Sequence, residues 1–299
     1  MKILYLGLPI GALVLEAQGF QLTVAANGYR RAPGTRRVRR RLGRNALCLA
    51  RPALDSSEVV AALRSADTDV GVTFFFPRRI PSAILTLPKK GFIGLHPSLL
   101  PRWRGPDPTF WTVRSGDTEG GVSVFRLDEE YDTGPILGQE RFPLTADETA
   151  RSLGRRCDRL GLRLLVETLR TIERGAPLDE RRQSGDATSA PVRNEESLSI
   201  DWKESSASIL RLIHAAWEPD GGALFRTEQG TFEVSTARRG PRLAALAPGE
   251  AFVSQGRVCI TTGNGAIQLD RVLRNGEPIP EADLYPTLFP ENQSSTGLG

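Results

Sequence analysis

Histidine is almost absent from this 299-residue chain. Only His96 and His214 occur, alongside three cysteines, Cys48, Cys157 and Cys259, and no Cys-x-x-Cys pair. So few ligands, so widely spaced, argue against a metal site of the zinc type, and an odd number of distant thiols argues against a disulfide framework. Reduced thiols and a cytoplasmic setting are the expectation. No run of ~18 apolar residues is present, so no membrane-spanning helix and no membrane partner are expected. The short apolar start is broken by Pro9 and Gly11 and lacks a small-residue cleavage site, so it reads as a first strand rather than a secretory signal. A Gly-x-Gly-x-x-Gly turn is also missing. Gly7-Leu8-Pro9-Ile10-Gly11 lacks that spacing, and dinucleotide binding has no support. Finally, no acidic residue lies between Glu16 and Asp55, where nine arginines fall: Arg30, Arg31, Arg36, Arg37, Arg39, Arg40, Arg41, Arg44 and Arg51. Such a patch suits phosphates, of nucleic acid or of a nucleotide-linked substrate. A solvated arginine-rich loop is the alternative.

What is present reads as two domains. With 39% hydrophobic and 25% charged residues, the chain is of ordinary globular composition and long enough for two cores. Lys2–Leu8, Gln21–Ala25, Val70–Phe76 and Phe92–Leu95 are strand-like runs, with helical stretches over Ala12–Ala17 and from Asp55 or Ser56 to Arg64. This alternation implies an α/β fold with a doubly wound, mostly parallel, Rossmann-like sheet. Val122–Leu127 and Ile136–Phe142 form a hairpin-like pair. A long helix follows, with Thr145 and Glu148 as its capping box and Leu153, Cys157, Leu160, Leu164 and Ile172 on one face, ending near Gly175. The expected layout is a first domain over 1–180, a linker over 181–204, a small OB-like β-barrel over 205–291 and a disordered tail over 292–299.

Two stretches could carry chemistry. In Gly91-Phe92-Ile93-Gly94-Leu95-His96-Pro97-Ser98-Leu99-Leu100-Pro101-Arg102-Trp103-Arg104-Gly105-Pro106, a strand feeds a loop at its C-terminal end, where open α/β sheets bind ligands. His96 at that mouth can exchange a proton near neutral pH, although a His before Pro also has a purely structural reading. In Asp128-Glu129-Glu130-Tyr131-Asp132-Thr133-Gly134, crowded carboxylates could provide a proton acceptor; an acidic surface turn is the alternative.

Together the two stretches resemble the folate-dependent formyltransferase family, whose best-known member is methionyl-tRNA formyltransferase. His96, Ser98, Leu99, Leu100 and Pro101 match its Asn-x-His-x-Ser-Leu-Leu-Pro loop, and Asp132, Thr133 and Gly134 match its Asp-Thr-Gly turn. Arg104-Gly105, Pro108, Trp111, Gly116 and Gly120-Gly121-Val122 also fall where the family has similar residues. Asp201-Trp202 and the β-rich end resemble its accessory barrel.

The resemblance implies an N-formyltransferase using 10-formyltetrahydrofolate and no metal. It makes His96 and Asp132 catalytic, with Asp132 taking up or relaying the amine proton and orienting the imidazole, and His96 stabilising the developing charge or protonating the leaving folate nitrogen. Phe76, Arg78, Arg79, Ile80 and Pro81 would form one wall of the folate pocket, and Leu127 and Asp128 the other. Ser98, Arg104, Arg36, Arg37 and Arg40 would meet the acceptor. The family's Asn two residues before the His is Gly94 here, and losing such an oxyanion donor costs about 2.7–4 kcal/mol. Backbone N–H groups, a water in the space left open by glycine, or the acceptor itself would have to replace it. The acceptor could be methionyl-tRNA, gripped through the arginine segment 30–51, an amino sugar linked to a nucleotide, or a small secondary-metabolite amine. Asn45-Ala46-Leu47-Cys48 and Phe74-Phe75-Phe76-Pro77 depart from the tRNA enzyme's pattern. A non-catalytic folate- or RNA-binding homologue and a formyltetrahydrofolate hydrolase are the other readings.

Overall fold

The structure, a computed structural model, describes residues 1–28, 32–43, 46–241, 243 and 245–290. The expected tail 292–299 and Arg30, Arg31 and Arg44 lie outside them. The chain divides into two compact units, the first comprising 1–108, 120–142 and 155–190, the second 109–119, 143–154 and 191–299.

The first unit is built on a seven-stranded sheet. Its strands are β1 (Lys2–Gly7), β2 (Gln21–Asn27), β3 (Leu47–Ala50), β4 (Val70–Phe74), β5 (Phe92–His96), β6 (Glu119–Arg126) and β7 (Ile136–Pro143), in the order β3-β2-β1-β4-β5-β6-β7. β1 to β5 run parallel, and β6 runs antiparallel to β5. Parallel strands are covered on both faces, which is why β1 is a continuous apolar run. Alternate residues feed two cores. Ile3, Tyr5, Val70, Val72 and Ile93 pack with Ala12 and Leu15 of α1 (Pro9–Ala17), Val38 of α2 (Thr35–Leu42), and Leu165 and Leu169 of α6 (Ala150–Glu173). Leu4, Leu6, Val24 and Phe92 pack on the other face with Leu63 of α3 (Ser57–Ser65) and Ile84 of α4 (Ser82–Leu85), and α5 (Pro108–Ser115) precedes β6 in the chain.

The doubly wound reading therefore holds, with the strand order reversing between β1 and β4. Because β1 to β5 are parallel, their C-terminal ends share one edge, where Asn27, Phe74 and His96 stand. The arginine segment contributes α2 at that edge. Arginine is a good helix former, and three arginines in the last turn complement the helix dipole. Val38 faces the core and Arg36, Arg37 and Arg40 are exposed, while Arg41 pairs with Glu16 at 2.8 Å.

α6 begins at Ala150 rather than at the expected Thr145 cap. Its reciprocal cap is Thr149 with Ser152, whose side chains each accept the other's backbone N–H at 3.0 Å. Thr145 and Glu148 form a preceding turn.

The second unit holds a smaller, antiparallel sheet of β8 (Ala223–Thr227), β9 (Gly230–Gly240), β10 (Ala251–Ser254), β11 (Arg257–Thr262), β12 (Gly265–Arg274) and β13 (Glu277–Pro278). The order is β10-β11-β12-β9-β8, with β13 on β12. A helix over Ser206–Ala216, capped by Ser205, buries Ile209, Leu212 and Ile213. Phe225 stacks on Phe232 at 5.5 Å, with the Trp202 ring edge-on to Phe225. Among the described residues no helix is long and apolar enough to cross a membrane.

Candidate active site

His96 ends β5, and Asp132 lies thirty-six positions on, in the loop between β6 and β7. The fold brings them together: His96 Nδ1 is 3.6 Å from Asp132 Oδ2. The imidazole is 6% exposed. Its Nε2 lies 2.8 Å from the Trp103 carbonyl oxygen. A carbonyl only accepts, so the neutral ring carries its proton on Nε2 and its lone pair on Nδ1. That lone pair faces a carboxylate at a distance too long for a direct hydrogen bond. Trp103 thus orients the ring, the part expected of Asp132. A backbone carbonyl leaves no mark in the sequence, which is why this partner is missed there.

Both carriers of this geometry are non-glycine residues with left-handed backbone, Trp103 at φ 60° and Asp132 at φ 57°. Such conformations persist where surrounding bonds enforce them. The Trp103 N–H donates to Thr188 Oγ1 at 2.8 Å, and Arg104 exchanges backbone bonds with Thr188 and Ala190. Gln183 Nε2 donates to the carbonyls of Asp132 and Gly134, both at 2.8 Å, while its Oε1 accepts Arg104 Nε at 3.1 Å and Nη2 at 2.7 Å. Residues 181–190, expected to open the linker, therefore belong to the first unit and brace the site. Asp132 Oδ2 also accepts the Gly105 N–H at 2.8 Å. Gly105 has φ 122°, and a Cβ there would come within 2.7 Å of the Ala190 carbonyl oxygen. Glycine alone fits that approach.

The other expected site residues take varied places. Ser98 is buried, its Oγ donating to the Arg102 carbonyl at 2.5 Å, so it closes the loop on itself. Arg104 is engaged by Gln183. Phe76 and Ile80 pack into the core beneath the β4 loop, and Pro81 caps α4. Arg78 Nη1 donates to the Pro52 carbonyl at 2.8 Å, with its guanidinium over the Phe76 ring. Its Nε and Nη2 are buried with no partner among the described residues. Arg79 bonds the Glu129 carbonyl and Ser82 the Glu129 carboxylate, so Glu129, not singled out in the sequence, joins the loop after β4 to the acidic loop. Asp128 is exposed and accepts the Thr133 hydroxyl at 2.7 Å.

The space expected beside Gly94 is not open. A Cβ there would lie 2.6 Å from Leu127 Cδ1, 2.9 Å from Thr73 Oγ1 and 3.2 Å from Phe125 Cε1. Among the described residues, no group of three or more His, Cys, Asp or Glu side chains could hold a metal ion.

Two family models match this chain: formyl transferase over residues 24–169, and formyl transferase, C-terminal domain, over residues 193–285. The chain belongs to the formyl transferase family. Within it, the chain is 34% identical over 297 residues to the methionyl-tRNA formyltransferase of Anaeromyxobacter dehalogenans, covering 94% of this chain and 95% of that one. It is 35% identical over 306 residues to that of Thermus thermophilus, covering 95% of each. Among solved structures, HypX from Aquifex aeolicus in complex with tetrahydrofolic acid has a TM-score of 0.64 at 22% identity, over 97% of this chain. This chain spans about half the length of HypX, 48%. The N-formyltransferase from Helicobacter canadensis, in complex with folinic acid and dTDP-3-aminofucose, has a TM-score of 0.67 at 16% identity, over 90% of this chain and 99% of that one. At these identities the structures show a shared fold.

Proposed function

We propose that this formyl transferase moves the formyl group of 10-formyltetrahydrofolate to a primary amine borne by a phosphate-containing acceptor. The observation that carries the reading is the 3.6 Å gap between His96 Nδ1 and Asp132 Oδ2, two acceptors facing each other. With the imidazole neutral, they are compatible when a group with hydrogens to donate sits beside both, within hydrogen-bond reach of each. An uncharged primary amine has two such hydrogens and keeps its lone pair for the formyl carbon. As its nitrogen bonds to that carbon it becomes positive, and Nδ1 or the carboxylate takes the proton. Asp132 stabilises the imidazolium so formed. His96 then returns the proton to the departing folate nitrogen. Neither residue needs a metal for these steps.

The loop after β4 fits such a donor. Orphaned buried N–H groups are costly, and the two on Arg78 suit the carbonyl and carboxylate oxygens of a folate. Phe76, Ile80, Pro81 and Leu127 would supply apolar walls, with Arg79 and Asp128 at the rim.

For the acceptor, the arginine helix gives a length. β2 and β5 are three strand spacings apart, about 14 Å. Arg36, Arg37 and Arg40 therefore suit phosphates some way from the reacting amine. A nucleotide-linked amino sugar meets that requirement, and the ligand of the Helicobacter structure supports it. Methionyl-tRNA is the second reading, favoured by the 34–35% identity to those enzymes along 94–95% of this chain.

The test is direct. Purified protein is mixed with 10-formyltetrahydrofolate and either dTDP-3-aminofucose or methionyl-tRNA, following tetrahydrofolate release and the mass of the acceptor. Formylation of one of them, abolished by His96→Ala and by Asp132→Ala, is expected. Release without any amine would make the protein a hydrolase, and no release at all a binding homologue.

A further inference from the structure

Attack on a formyl carbon puts a negative charge on its oxygen, and the donors around His96 and Asp132 are already engaged, while the two unpartnered nitrogens of Arg78 lie in the loop after β4. The Nε2–H of His96 is held by the Trp103 carbonyl, the Gly105 N–H by Asp132, and the Gln183 amide by two backbone carbonyls. One hydroxyl stands out on the face of the sheet shared by Gly94 and His96. Thr73, next to last in β4, is paired in parallel register with Gly94 of β5. Its side chain is nearly buried, at 8% exposed, and its Oγ1 has no hydrogen-bond partner among the described residues.

We propose that the Thr73 hydroxyl is the oxyanion donor of this site, and that Gly94 is the residue that keeps a neighbouring side chain from pressing on that hydroxyl. The inference rests on the formyl transfer proposed above. Thr73 Oγ1 would be 2.9 Å from a Cβ at position 94. His96 lies two residues further along the same strand and face, about 7 Å on. A carbonyl group hydrogen-bonded to Thr73 would turn its carbon toward the His96 end of the strand, where the amine is held. Any side chain at 94 would press on the hydroxyl from the side. Glycine there is thus the partner of Thr73 and not simply a missing donor.

The step balances as follows. The amine lone pair forms the new carbon–nitrogen bond while the carbonyl π pair moves to oxygen. That oxygen accepts the Thr73 O–H hydrogen bond without taking the proton. When the pair returns, the bond from carbon to the folate nitrogen breaks. That nitrogen gains the proton first removed from the amine through His96 and Asp132. Thr73 remains unchanged throughout.

The experiment compares Thr73→Val, which keeps the shape without the donor, and Thr73→Ser, which keeps the donor. Two readouts are taken with the full chain. The first is kcat and donor KM with 10-formyltetrahydrofolate and whichever of dTDP-3-aminofucose or methionyl-tRNA the wild type formylates. The second is the infrared stretch of a ¹³C-labelled formyl carbonyl in bound 5-formyltetrahydrofolate. Thr73→Val is expected to lose about 10²- to 10³-fold in kcat with donor KM held. Its carbonyl band should move to higher frequency, and Thr73→Ser should restore both. A Thr73→Val enzyme within threefold of wild type overturns the inference alone. So does a loss confined to donor KM with the band unmoved, which would make Thr73 a wall of the pocket. A wild type that formylates neither acceptor overturns the proposed function, and this inference with it.

Discussion

Replacing Gln183 by leucine tests whether the reactive pair depends on the strap that follows the long helix. One side chain makes four hydrogen bonds, two to the carbonyls of Asp132 and Gly134 and two from Arg104. Leucine keeps the bulk and removes all four. Each amide bond to a carbonyl contributes roughly 1 kcal/mol net, and the pair from a charged guanidinium somewhat more. Arg104 is half-buried and can regain some water, so a total of roughly 2–4 kcal/mol is expected. The effect on rate is more telling. Asp132 is held at φ 57°, and without its carbonyl anchor the residue can relax toward ordinary backbone. A displacement of about 1 Å is enough to cost ~10²-fold in turnover. Gln183 touches no substrate in this scheme, so kcat should fall more than KM. Gln183→Glu keeps an acceptor for Arg104 but turns a carboxylate oxygen toward the two carbonyls that the amide had bonded, so it should lose rate and, read from urea unfolding, stability as well. If Gln183→Leu turns over within twofold of wild type, the strap is packing only and the positioning argument fails.

Three further outcomes follow from the same geometry. Gly94→Asn should lower activity and stability together, because its Cβ would meet Leu127 and Thr73 at 2.6 and 2.9 Å and overpacking costs about 1–3 kcal/mol; a rise in kcat would mean that an uncompensated donor had been restored. Changing Arg36, Arg37 and Arg40 together to Gln should raise KM for a phosphate-bearing acceptor and flatten its dependence on salt; an unchanged salt slope would free the helix of any part in binding. Burial pushes the half-buried Asp158 carboxyl on α6 up from 3.8 to about 6, with its Oδ1 unpartnered among the described residues. Its folded pKa lies above its unfolded one, so the stability it allows is full below about pH 4 and is lost as pH rises through 6. Asp158→Asn should therefore raise the urea midpoint at pH 8 and leave it little changed at pH 4.

The parallel sheet is legible in the sequence because each strand is an uninterrupted apolar run, and such runs have few other places to go. The second, antiparallel sheet is legible for a related reason, its short runs being separated by Gly turns. Helix ends are less so. Thr145-Ala146-Asp147-Glu148 and Thr149-Ala150-Arg151-Ser152 both carry capping chemistry, and only the packing of Leu153 and Cys157 selects the second. The proposed pair, His96 and Asp132, is picked out by motif, since a histidine at a strand end and an Asp-Thr-Gly turn need particular residue types. Gly134 shows why: a Cβ there would lie 1.9 Å from the Arg126 carbonyl oxygen.

What sequence reasoning misses are the groups that hold the pair. The Trp103 carbonyl, the Gly105 N–H and the Ala190 carbonyl are backbone atoms, common to every residue type. Gln183 and Thr188 are ordinary polar residues in a turn-rich stretch that reads as a linker. Their role comes from where the chain returns, which no local pattern encodes. The same limit governs Gly94. Alone in the sequence it is a lost amide and a vacancy. Beside Thr73 and Leu127 it spares two side chains a contact that any Cβ would make, and in the proposal the deficit becomes an exchange of one donor for another across neighbouring strands. A substitution at a reactive position is thus read correctly only with its lateral neighbour, twenty-one residues away in the chain and one strand away in the sheet.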